Sequence, residues 1–321
     1  MERSGHLADT LLIVPGFGQS ALTREKNGEK EYLWPPAITP ADVMDAMKGP
    51  FIKLLFTRKD MGFSDGAVRL FHKYASPLSR NENGGPLREA PDEIYEKEAA
   101  LPLLGKDFPL EELKAIYGEN LRVVPLDFFR SPVVNADAFV YYMKENGIEK
   151  ADILSLNFGS ATLLSVLYRH PEKADRAVFV SPRFEGLDLA ADVYEDKLTG
   201  VRVRALMQEM SGKTVESFRE ILKMLPPEIL DNIVKKIRDD AVKTVLRNSP
   251  GAWAAVPSAR LSAALAAVFG EERPTVRDMA EFYDEIRSQR GNLLAGAAVI
   301  EGDLVHPFPR ATQAVLAALS R

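Results

Sequence analysis

The chain has 321 residues, 46% of them hydrophobic and 27% charged, enough apolar material for one large core. Its net charge of −5 argues against the broad basic footprint of a nucleic-acid binder, and the absence of cysteine removes disulfides, thiolate chemistry and cysteine-based metal sites. The first residues are polar, the apolar run after them is too short for a signal-peptide core, and no stretch reaches the roughly 18 apolar residues of a spanning helix. A soluble cytoplasmic chain with no transmembrane segment is expected.

In chain order, Leu11 to Val14 is an unbroken apolar run, the pattern of a strand buried on both faces. It ends in Pro15-Gly16-Phe17-Gly18-Gln19-Ser20, a glycine-rich turn with free main-chain N–H groups. No Gly-Lys-Ser/Thr follows, which disfavours a phosphate loop. Thr23 to Tyr32 is charged and reads as a surface loop. Thr39, with Pro40 at the first helical position, predicts a helix through Lys48. A second helix runs from about Phe63 to His72, and Ser76 to Pro91, rich in Gly, Asn and Pro, reads as a loop. His72 and the basic residues near it read as solvated surface. Leu110 to Tyr117 predicts a helix and Leu121 to Leu126 a strand. Asn135 or Asp137 starts a helix that Asn146-Gly147 stops.

The stretch Ala151-Asp152-Ile153-Leu154-Ser155-Leu156-Asn157-Phe158-Gly159-Ser160-Ala161 joins a buried-strand run to a helical pattern that continues through Leu163, Leu164 and Leu167. Its small residues Ser155, Gly159 and Ser160 have the spacing of a nucleophile elbow, a tight turn that lifts one side chain above a sheet. That position holds Asn157. Asparagine tolerates the left-handed backbone such a turn needs, but its amide cannot be deprotonated into an oxygen nucleophile. The alternative is a plain strand–turn–helix junction. Ser160 is the nearest hydroxyl, and its place in the first helical turn predicts capping or packing, with a displaced nucleophile as the alternative.

Arg176 to Pro182 is a further strand, so strands alternate with helices at the spacing of βαβ units. The expected fold is α/β, a mostly parallel sheet with helices on both faces. From Gly186 to Arg290 strand signals stop. Helical patterns cover Val201 to Met210, Val215 to Leu225, Pro227 to Arg247, Ser258 to Phe269 and Val276 to Arg290. The expected organisation is a core in 1–185, a helical lid or cap in 186–295, and the last core strand and helix in 296–321. The amphipathic faces of the helical stretch either cover an apolar site or pack on the sheet. Ala297 to Glu301 is the last strand, and a closing helix begins near Pro309.

Three segments carry a family resemblance. Val14 to Ser20 resembles the N-terminal signature of lecithin:cholesterol acyltransferase-like α/β-hydrolases. Leu126-Asp127-Phe128-Phe129-Arg130 resembles their Tyr-Asp-Trp-Arg segment, and Trp253-Ala254-Ala255-Val256-Pro257 is similar to a Trp…Pro stretch of bacterial members. The resemblance implies an α/β-hydrolase fold with a helical lid. It also implies a Ser-Asp-His triad without cofactor or metal, and an acyl-ester or lipid-like small molecule as substrate. It puts Asn157 at the nucleophile, His306 at the base and Asp303 at the acid. A second alignment keeps His306 and takes the acid from Asp188 or Glu185. The oxyanion donors would come from the Gly16-Phe17-Gly18 loop and the Phe158 main chain. Three functions are compatible with this. One is a catalytically impaired relic that binds an acyl or lipid-like ligand. Another is a working esterase, lipase or acyltransferase with an atypical site using Ser160 and His306. The third is a non-catalytic scaffold.

Overall fold

Leu11, Leu12, Ile13 and Val14 of β1 (Leu11–Val14) are all fully buried, because alternate residues of a strand point to opposite faces and here both faces are covered. The structure, a computed structural model, describes residues 10–87, 93–104, 108–209, 223, 225–271, 277–302 and 311–320. Around β1 stand β5 (Leu121–Val123), β6 (Ala151–Leu156), β7 (Ala174–Val180) and β8 (Ala298–Ile300), all parallel, in the order β5-β1-β6-β7-β8. Leu12, Val14, Ile153 and Phe179 turn to one face, against α4 (Pro132–Glu145) and α5 (Gly159–Arg169). Leu11, Ile13, Leu154, Leu156, Val178 and Val180 turn to the other, against α3 (Leu110–Tyr117) and α10 (Ala311–Ser320). The expected mostly parallel sheet with helices on both faces is what the chain forms.

A second, antiparallel sheet stands beside the first. It contains β2 (Ser20–Lys26), β3 (Glu29–Trp34) and β4 (Ile94–Ala99), in the order β3-β2-β4. This corrects the reading of Thr23 to Tyr32 as a loop. The charges there are cross-strand partners: Arg24 stands opposite Glu31 and pairs with it at 2.7 Å, and Lys30 reaches Glu98. The strands are joined by Asn27-Gly28, both at positive φ of 55° and 78°, the residue pair that a two-residue hairpin turn favours.

Thr39 caps α1 (Pro40–Thr57) through a reciprocal capping box with Asp42. The helix does not stop at Lys48. It continues past Gly49-Pro50 because Phe51 and Leu54 pack into an apolar cluster with Phe63 and the helix α8 (Pro227–Ala241). Tertiary packing overrides the local stop signal. α2 (Phe63–Ala75) runs beside α1 and α8, and α8 passes into a π turn at Val242–Leu246.

The helical stretch after β7 contains α6 (Asp188–Tyr194), α7 (Gly200–Glu209), α8 and α9 (Ser258–Phe269). Most of the expected Val215 to Leu225 helix lies outside the described residues. Trp253 stacks on Tyr194 at 3.8 Å between centroids, and Phe282, Tyr283 and Ile286 join the apolar layer on the sheet. Among the described residues, no helix is long and apolar enough to cross a membrane.

Two glycines should respond in opposite directions. A Cβ on Gly159 would stand 2.6 Å from the carbonyl oxygens of Val14 and Pro15, whereas one on Gly49 meets nothing within 4 Å. Gly159→Ala is expected to cost about 1–3 kcal/mol by overpacking, and Gly49→Ala to stabilise by about 0.5–1 kcal/mol. Urea unfolding reads both, and a neutral Gly159→Ala would contradict the close approach of β1 and α5.

The α6–α9 contact supplies a pH dependence. Hydrogen bonds from Arg260 and then Lys197 hold the Glu195 carboxyl down from 4.5 to about 2. A lowered folded-state value stabilises above the ordinary value of 4.5 and is lost as pH falls toward about 2. The Tm difference between wild type and Glu195→Gln should be constant above about pH 5.5 and shrink on acidification. A difference that stays constant down to about pH 2.5 would contradict it.

Candidate active site

β6 ends at Leu156 and α5 begins at Gly159, so the chain turns within Asn157 and Phe158. Asn157 has φ +47°, in the left-handed region where asparagine is enriched among residues that carry a Cβ. Its N–H donates to Val180 O at 3.0 Å, and its carbonyl accepts from Ser160 N at 3.1 Å. The loop after β1 lies against the same turn. A Cβ on Gly16 would stand 2.9 Å from Leu156 O and 3.3 Å from Asn157 Cβ. Loop and elbow are thus side by side at the C-terminal edge of the sheet, where the sequence puts them.

Gln19 fixes the shape of that loop. Gly16 N donates to Gln19 Oε1 at 2.6 Å, and Gln19 N donates back to Gly16 O at 3.1 Å. Trp34 Nε1 donates to Gly18 O at 2.8 Å, where Gly18 has φ +77°. Among the described residues, the main-chain N–H groups of Phe17 and Phe158 have no acceptor. These are the two donors the sequence assigns to an oxyanion. Between loop and elbow lies a crevice of about 30 Å³, lined by Gly16, Phe17, Phe158, Gly159 and Thr162 among others, room for little more than a water molecule.

The group at the nucleophile position is an amide. Asn157 Oδ1 is buried and accepts no hydrogen bond among the described residues. Ser160 is fully buried, and its Oγ accepts from Arg183 N at 3.2 Å, tying the segment after β7 to the start of α5. Glu185 is paired with Arg290 and Asp188 with Arg260. Asp303 and His306 lie outside the described residues. No group of His, Asp or Glu able to hold a metal occurs among the described residues.

Two residues at this edge escape the sequence reading. Ser181, directly after β7, is like Asn157 a non-glycine residue at positive φ, +49°, and its N–H donates to Ile300 O at 2.7 Å. Arg183 has a buried Nε with no partner among the described residues and an Nη2 that donates to Gly302 O at 3.4 Å. A Ser-Pro pair after a strand was the only local sign of either.

The Leu126–Arg130 segment is organised by Asp127. Its carboxylate accepts from Phe129 N at 3.1 Å and from Arg80 Nη1 at 2.6 Å, and its carbonyl accepts from Asn135 Nδ2 at 3.0 Å. Burial pushes the Arg80 guanidinium below its ordinary value, and the Asp127 charge opposes this. Arg80 also lies 4.6 Å over the Phe129 ring. Phe129, Phe128 and Phe17 form an aromatic triad with centroids 4.6–5.5 Å apart.

Beyond Phe17 opens a far larger cavity of about 1040 Å³, walled by β3, α1, α2, Phe129 and the π turn after α8. Its volume reaches the top of the usual range for ligand sites, about 300–1,000 Å³. Phe17 lines both this cavity and the crevice at the elbow. The sequence reading left the helices of 186–295 either to cover an apolar site or to pack on the sheet. The structure builds most of the wall from residues 34–78 instead.

Arg80→Ala leaves the Asp127 carboxylate buried without its cation and is expected to cost about 3–5 kcal/mol. In a double-mutant cycle with Asp127→Ala the costs should be less than additive by about 1 kcal/mol or more. Additive costs in urea unfolding would show the two residues acting independently.

No protein-family model matches the chain, and no curated protein matches it significantly. Among solved structures it is similar to an enol-lactonase from Burkholderia xenovorans, at 16% identity over 64% of this chain and 84% of that one, with a TM-score of 0.32. It is also similar to a probable hydrolytic enzyme from Pseudomonas aeruginosa, at 13% identity over 65% and 80%, with a TM-score of 0.31. A third likeness is an alpha/beta hydrolase fold protein from Nakamurella multipartita, at 15% identity over 67% and 88%, with a TM-score of 0.30. It is the parallel sheet and the strained strand-to-helix elbow, not these distant likenesses, that make the chain an α/β-hydrolase-fold protein.

Proposed function

We propose that the chain is a catalytically impaired relative of lipid acyl-ester hydrolases and acyltransferases, of the lecithin:cholesterol acyltransferase-like kind, that binds an acyl or lipid-like ligand. The observation that carries this reading is the apolar cavity of about 1040 Å³ that begins at Phe17, the loop residue beside the Asn157 turn. Binding capacity and the remains of an oxyanion site adjoin, while the nucleophile is an amide. Loss of a triad nucleophile typically removes about 10⁶ in kcat. Binding therefore survives what catalysis does not. In this reading residues 186–295 are the cap, and the π turn that follows α8 is its working part because Val245 and Leu246 help wall the cavity.

The competing reading is a working serine esterase or acyltransferase that uses Ser160 with His306. The engagement of Ser160 Oγ by Arg183 N speaks against it. A scaffold without a ligand is the third possibility, and the cavity speaks against that one.

The test combines binding and labelling. Wild type should bind a fluorescent acyl chain, and Ala67→Trp, which places an indole in the cavity wall, should abolish this binding. Wild type should neither hydrolyse p-nitrophenyl esters nor react with a fluorophosphonate. Asn157→Ser should fold and stay unlabelled. Labelling of Asn157→Ser that His306→Ala removes would show that base and oxyanion donors survive and that Asn157 is the single lesion. Wild-type labelling lost on Ser160→Ala would overturn the impaired reading.

A further inference from the structure

The cavity beyond Phe17 has an unusually one-sided wall. Of the described side chains that line it, only Trp34, Tyr74 and Lys48 carry nitrogen or oxygen. Trp34 spends its N–H on Gly18 O at 2.8 Å. Tyr74 donates its hydroxyl to Asp42 Oδ2 at 2.5 Å. Asp42 is itself saturated, because it also receives Lys73 and the Thr39 hydroxyl and N–H. Neither the indole nor the phenol has a free donor left for a polar ligand, and the nearby carboxylate is already neutralised.

Lys48 differs. It stands exposed on α1 at the rim, and among the described residues its ammonium has no hydrogen-bond or ion-pair partner. A ligand that fits this wall must be apolar along its length, since any buried polar group would lack a partner. Its one compensated polar end must meet a cation. Lysine can lay its methylene stem along an apolar wall while keeping its charge at the water boundary, as this geometry requires.

We infer that the cavity takes a single-chain anionic amphiphile, its tail enclosed between α1, α2 and β3 and its anionic head held by Lys48 at the rim. This rests on the acyl-binding reading above and adds the head group and its anchor. A carboxylate and a phosphate head share the chemistry, and the test separates them.

Purified full-length protein is loaded with the uncharged dye Nile red, and displacement is followed with dodecanoate, dodecyl phosphate and dodecan-1-ol. The two anions should displace the dye at lower concentration than the alcohol, and the tighter of the two identifies the head. Lys48→Met keeps an apolar stem and should weaken the tighter anion about fivefold, the upper range for an exposed ion pair, while leaving the alcohol unchanged. Lys48→Arg should restore the anion. Equal binding of alcohol and anions to wild type, or an anion affinity indifferent to Lys48→Met, overturns the head-group assignment alone. If no chain displaces the dye and no direct binding is seen, the acyl-binding reading falls with it.

Discussion

Everything at the candidate site depends on two backbones touching without side chains between them. The carbonyls of Val14 and Pro15 lie where a Cβ of residue 159 would be, and Leu156 O lies where a Cβ of residue 16 would be. Glycine at both positions lets the end of β1 and the start of α5 close on each other. The loop that carries Phe17 N–H is thereby pressed against the turn that carries Phe158 N–H. Had either position a side chain, the two donors would be held apart and the elbow would be only a bend between a strand and a helix.

Much of this was legible in the sequence. An unbroken apolar run such as Leu11–Val14 can only be satisfied with both faces covered, and it is completely buried; so is Ala151–Leu156, whose one charge, Asp152, accepts from the Tyr117 hydroxyl at 2.8 Å. The elbow was legible because Asn157 and Gly159 each solve a backbone problem that few residues solve. The hairpin was not, because its charges mask the alternation; yet Asn27-Gly28 was present and is a stronger signal than composition. The cavity was illegible for a different reason. α1 is apolar on the side that lines the cavity and also outside, where Phe56 is 86% exposed, so periodicity gives no contrast between lining and surface.

The site also separates features that sequence motifs present as one. The Asp127 segment matches a family pattern next to the elbow, but its carboxylate is spent on Arg80 and Phe129 N. It shapes the aromatic wall. Ser160, whose place in the first helical turn predicts capping or packing, is a clamp between the segment after β7 and α5. Asn157 is the reverse case. Its side chain is an amide with no oxygen nucleophile to offer, while its backbone takes the left-handed turn at φ +47°. The turn also positions α5 and the first residues beyond β6.

Phe17 has a place in both compartments. Its ring lines the large cavity and the crevice at the elbow, while its main-chain N–H belongs to the loop that Gln19 braces. Ring and amide share one Cα, so on the proposed reading a tail that displaces the whole residue, and not only its ring about χ1, would shift the amide as well. By thermodynamic reciprocity, an anion drawn to that amide must in turn alter the affinity for the tail by the same factor. On that reading one phenylalanine couples two adjoining sites.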